Sequence, residues 1–181
     1  MISLFFKITL FFTLFFISNL YSKVSLANIV VISYESFNNK DFNIKTINSH
    51  INILTKKKYF IFSTNNIANL LNNSESLPDY SVAIIISSNN KQIINSIWPI
   101  FSEASLRFTL FIDPNVINRD KTYMSWDDIN QLKNNGVEIG IRSSPNNIIN
   151  DINLYRNRLN IDPASYLYKE GIWSKKVIKI L

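Results

Sequence analysis

Three short, largely apolar runs constrain this chain more than any other feature. They are Val82-Ala83-Ile84-Ile85-Ile86, Phe108-Thr109-Leu110-Phe111-Ile112 and Val137-Glu138-Ile139-Gly140-Ile141. Each is rich in β-branched or aromatic residues and bounded by polar segments. A parallel strand covered on both faces reads this way. Between the runs stand stretches of helical period: Ile93, Ile94, Ile97 and Phe101, then Ile129 and Leu132. Strand and helix alternate, and parallel strands need such crossovers. The fold class is therefore α/β, with the three runs as adjacent central strands of a parallel sheet of about five or six strands.

The same reading extends along the chain. Residues 29–33 read as a buried strand, and Ile44, Ile47, Ile51 and Leu54 fall on one face of a helix. Residues 59–62 and 165–168 read as strands, and residues 65–71, 149–159 and 174–181 as helices. Ser125-x-x-Asp128 is a capping-box variant, and Gly136 suits the residue just past that helix. Pro99 predicts a kink or an early stop in the helix before the second run.

The N-terminus has the pattern of a secretory signal: Lys7, an apolar stretch over residues 8–17, and Ser25-Leu26-Ala27 ahead of Asn28. Cleavage there divides the chain into a signal peptide, residues 1–27, and one secreted or periplasmic domain, residues 28–181. The alternative is an uncleaved anchor in the inner membrane, because residues 1–6 are also mostly apolar. A spanning helix needs about 20 apolar residues, and Lys7 interrupts the run. Membrane contact is expected only in that second case.

Cysteine is absent, which removes disulfides and thiolate metal sites. The net charge of +6 arises from scattered basic residues apart from Lys56-Lys57-Lys58 and Lys175-Lys176. Neither cluster is interleaved with aromatics, so solvated faces are expected and nucleic acid is not a partner. With three glycines in the whole chain there is no glycine-rich phosphate loop. No G-x-S-x-G elbow accompanies Ser87, Ser88 or Ser143, which argues against a serine hydrolase.

Several segments, in order, resemble the polysaccharide deacetylase family. Ile32-Ser33-Tyr34-Glu35-Ser36-Phe37 is similar to its "M-Y-H-R-F" strand end, with Glu35 in place of histidine. Val82 to Asn89 resembles the strand that ends in paired aspartates. Ile97-Trp98-Pro99-Ile100-Phe101 resembles its "W-P-x-L" helix, and Tyr123 to Ile129 its "M-S-W-D-Q-I". Gly136 to Asn146 resembles the segment carrying His-x-x-x-His, and Tyr166 to Gly171 a worn "F-A-Y-P-Y-G" with Lys169 for proline.

The resemblance implies an incomplete (β/α) barrel, shorter than the ~250 residues of a closed one, truncated at its C-terminus. In the family an aspartate and two histidines hold a divalent metal such as zinc, which activates water, and a second aspartate accepts the proton. Here Ser87 stands at the base position, and Ser88, Arg142 and Asn146 stand at the metal positions. Arginine stays protonated and has no lone pair to offer. No catalytic residue, metal or cofactor is therefore expected.

Other polar residues have structural readings. His50, alone in the first helix, reads as structural, because a metal site needs three or four ligands. Glu138 is expected to pair with a lysine across the sheet, and Asp113-Pro114 to start a turn. Trp98 and Trp126 are expected in the core, while Trp173 is the better candidate to stack on a sugar.

The leading functional reading is a secreted, inactive deacetylase-like protein of carbohydrate metabolism, with a glycan as a candidate ligand. A second is a fragment of a decaying or split gene. It would self-associate or use a partner chain, with Tyr166, Leu167, Val177, Ile178, Ile180 and Leu181 as the uncovered set. A third is an active carbohydrate N-deacetylase whose site is rebuilt from Asp113, Glu35 or Glu138.

Overall fold

In a computed structural model of the chain, residues 29–35, 42–72, 77–163, 165–171 and 175–178 are described. The expected signal peptide, Trp173, Ile180 and Leu181 lie outside them. The sheet is organised around β3 (Ser81–Ser87), in which every residue except Ile85 is buried. On one side β3 pairs over its full length with β1 (Ile29–Glu35). On the other it is shared. β2 (Phe60–Phe62) takes Ser81 to Ala83, and β4 (Thr109–Ile112) takes Ile85 to Ser87. β5 (Glu138–Ser143) and β6 (Tyr166–Tyr168) follow, and every pairing is parallel. The three apolar runs are thus adjacent. The sheet curls into a half-barrel, an incomplete (β/α) barrel.

Register and the two-residue alternation of strands sort the side chains. Val82, Ile84, Ile86, Leu110, Ile112, Ile139 and Ile141 share the outer face and join one core cluster with the helices. α1 (Ile44–Lys56) contributes Ile47, Ile51 and Leu54. α3 (Trp98–Glu103) contributes Phe101, α4 (Trp126–Asn134) Ile129 and Leu132, and α5 (Ile148–Leu159) Ile148, Tyr155 and Leu159. α2 (Thr64–Asn72) buries no side chain, and α6 (Lys175–Ile178) buries Val177.

The capping box forms: Ser125 Oγ accepts from the Asp128 amide at 3.0 Å, and Asp128 Oδ2 accepts from the Ser125 amide at 2.8 Å. Gly136 takes a φ of +85° just past the helix, where other residues are strained.

Four expectations are corrected. β1 is an edge strand with Val30 and Val31 60% and 54% exposed, not a buried one. Apolar content alone does not separate an edge from a centre. Of the two outcomes expected at Pro99, the early stop does not occur. The run opens as a π turn over Ile93–Ile97, and Pro99 falls in the first turn of α3, where a missing N–H is tolerated.

Among the described residues Glu138 pairs with no lysine. It sits at the N-terminal end of β5 and accepts from Thr64 Oγ1, from Thr109 Oγ1 at 3.0 Å and from the Asn65 amide at 3.2 Å, so it caps the start of α2. The cause is the sharing of β3, which sets the residues after β2 against the start of β4. Finally, Val177 is fully buried while Ile178 is exposed, so the uncovered C-terminal set is not uniform.

Trp98 and Trp126 pack on the core, edge-on to Phe108 and Tyr155 at centroid distances of 6.3 and 6.2 Å. His50 lies exposed on α1, with its Nδ1 2.9 Å from the Tyr34 hydroxyl. Among the described residues no helix is long and apolar enough to cross a membrane.

Candidate functional site

Parallel barrels gather chemistry where the strands end, because the loops that follow converge there. At this rim Glu35 lies beside Ser87 in register, and Ser87 beside Phe111. Phe111 lies beside Gly140, so Ser87 and Arg142 share the inner face with β4 between them. Ser88 and Asn146 do not join them. Ser88 falls at the alternate position, 5% exposed, and its Oγ accepts from the Asn90 amide at 3.0 Å. Asn146 is exposed in the turn after β5.

The polar groups the rim does assemble are different ones. Asp113, at the end of β4, is 3% exposed. Its backbone is clamped by Asn89, whose Nδ2 donates to the Asp113 carbonyl and whose Oδ1 accepts from the Asp113 amide, both at 2.9 Å. Its Oδ1 accepts from the Asn115 amide at 3.0 Å, as expected of a turn-opening residue. Its Oδ2 accepts from Lys169 Nζ at 2.8 Å.

Asn115 Nδ2 also reaches Asp151 on α5, at 3.2 Å. Asp151 is 1% exposed and accepts from Ser143 Oγ at 2.5 Å. The Tyr166 hydroxyl donates to the Ser143 carbonyl at 2.5 Å. Four elements, β4, β5, α5 and β6, are tied by this network.

Its two carboxyls behave oppositely. Burial pushes Asp113 up, but the Lys169 ammonium and the Asn115 donors outweigh it and hold the carboxyl below its usual value. That stabilisation is present above the unfolded-state pKa and is lost as the pH falls through the folded one. Burial pushes Asp151 up, and the neighbouring Asp113 charge adds to this against the Ser143 and Asn115 donors. Tyr166 is pushed up to about 12, by burial first and then by Tyr168 and Asp151.

No family model and no curated protein sequence matches the chain. Solved structures do. IcaB from Ammonifex degensii superposes with a TM-score of 0.75 at 12% identity, over 85% of this chain and 79% of its own. The Streptococcus pyogenes deacetylase PplD, in complex with acetate, gives 0.70 at 12%, over 84% and 77%. A de-N-acetylase from Aggregatibacter actinomycetemcomitans gives 0.69 at 14%, over 83% and 82%. The fold is that of the polysaccharide deacetylases.

The motif resemblance implies a divalent metal held at Ser88, Arg142 and Asn146, and the side chains here do not fit one. Of the resemblance-assigned positions, Ser88 is engaged by a backbone amide, Arg142 carries a fixed positive charge and Asn146 is exposed. Among the described residues, no three of His, Cys, Asp and Glu are grouped to hold an ion. Of the residues considered for a rebuilt site, Asp113 is bonded to Lys169, and Glu138 lies at the opposite end of its strand. Glu35 remains at the rim, exposed, with its Oε1 3.3 Å from Ser33 Oγ.

Sequence reading gave no role to Asn115 or Asp151, and met Asn89 and Tyr166 only as members of resembling segments. Nothing local marks them, because each works through a partner on another element. The substitution of Lys169 for a proline was the one visible signal.

Proposed function

We propose that the protein is an exported, non-catalytic polysaccharide-deacetylase-like protein of carbohydrate metabolism, with a glycan as its ligand class. The observation that carries this reading is the donor set at the strand ends. Ser87 and Arg142 share the inner face there, at positions that the resemblance assigns to a base and a metal ligand, while the deacetylase fold is kept; Ser88 and Asn146, the other assigned positions, do not join them. A hydroxyl is no base near neutral pH without an activating partner, and a guanidinium repels a cation. Export is inferred from the apolar N-terminal stretch that ends in Ser25-Leu26-Ala27. Calorimetric titration of the purified protein with zinc and with cobalt(II) tests the reading. No binding at the rim is expected, and one equivalent bound at micromolar affinity or tighter contradicts it.

A second reading, in which another polypeptide chain completes the barrel, is favoured by the outer edges of β1 and β6. No described strand pairs with either. Strand edges left open invite association. Size-exclusion chromatography with light scattering is then expected to give a dimer or larger species, and a monodisperse monomer contradicts it.

A further inference from the structure

We propose that the Lys169 ammonium is a tethered cation that serves as the charge partner of the buried carboxyls at the rim. This rests on the metal-free reading above. Two carboxyls, Asp113 and Asp151, are buried to 3% and 1% exposure and share one asparagine, Asn115. Burying charge in this way is costly unless a counter-charge is supplied. In a metal centre an ion supplies it. Here Lys169 places Nζ 2.8 Å from Asp113 Oδ2, from a residue that follows directly on β6.

The rest of the geometry fits that role. Asp113 cannot retreat, because Asn89 holds its amide and carbonyl together. Its other oxygen is already committed to Asn115. The Lys169 side chain is 37% exposed and the Asp113 side chain 4%, so the pair is only partly withdrawn from solvent. The contact joins positions 56 residues apart, so it closes a long loop between the ends of β4 and β6. Proline at 169, the residue of the resembling motif, could supply neither the charge nor the closure.

The test is a double-mutant cycle with Lys169→Met and Asp113→Asn, read by thermal melts of the purified protein. Lys169→Met alone leaves a buried carboxylate without its cation, and Tm is expected to fall by about 4–8 °C. Adding Asp113→Asn removes that charge, so the double variant is expected to melt higher than Lys169→Met alone. Lys169→Arg should recover most of the loss. If Lys169→Met does not fold but the double variant does, the proposal is supported. Additive losses, or a double variant no more stable than Lys169→Met, overturn it. That failure would leave the metal-free reading standing. Zinc that raises the Tm of the unaltered protein would instead remove that reading, whatever the cycle gives.

Discussion

Replacing Phe101 by alanine is expected to cost about 3–5 kcal/mol, a large part of the ~5–15 kcal/mol that holds a domain together. Phe101 is fully buried in α3 and meets Phe108 edge-on, with ring centroids 4.8 Å apart. Phe108 leads directly into β4, so the pair fixes the crossover that brings α3 onto the outer face of the sheet. An alanine leaves a cavity that close-packed neighbours fill only in part. Urea unfolding should show the midpoint falling sharply with little change in slope. A loss under about 1 kcal/mol would mean that the crossover is not packed as described.

Gly140→Ala is expected to cost about 2–3 kcal/mol through overpacking. Gly140 lies on the inner face of β5, beside Phe111 in register. A Cβ there would come 2.5 Å from Phe111 Cε1 and 2.7 Å from Ser165 Oγ. The serine can rotate away, but the Phe111 ring, 4% exposed, has little room. The loss should therefore be non-additive with Phe111→Leu, which shortens the opposing side chain. Equal losses for Gly140→Ala with and without Phe111→Leu would show that the two residues do not meet. Arg142 is two residues further along the same face.

Much of the fold could be read from the sequence, because periodicity is a local property. The runs around Ile84, Leu110 and Ile139 became adjacent parallel strands, and Ile47, Ile51 and Leu54 became one buried helix face. The capping box at Ser125 was legible for the same reason. What was missed depends on neighbours in space. β1 has the composition of a central strand, yet its place in the strand order makes it an edge. The partners of Glu138 come from the residues after β2, which only the sharing of β3 brings near.

The candidate site follows the same division. Ser87, Ser88, Arg142 and Asn146 stand where the resembling motifs place a base and metal ligands, but only Ser87 and Arg142 meet on the inner face. The network that the rim carries instead, from Asn89 through Asp113 and Asn115 to Asp151 and Lys169, spans β4, β5, α5 and β6. No spacing within one element encodes it. The conspicuous lysine gained its meaning only when Asp113 was found 2.8 Å away.

The proposed function requires that this deacetylase fold release no acetate. Acetate release from N-acetylglucosamine oligomers tests it most directly. The purified protein, supplied with zinc or cobalt(II), would be compared with a boiled control and with an active deacetylase of the same fold. Release equal to the boiled control is expected. Turnover above that level which a chelator abolishes and added metal restores would contradict it.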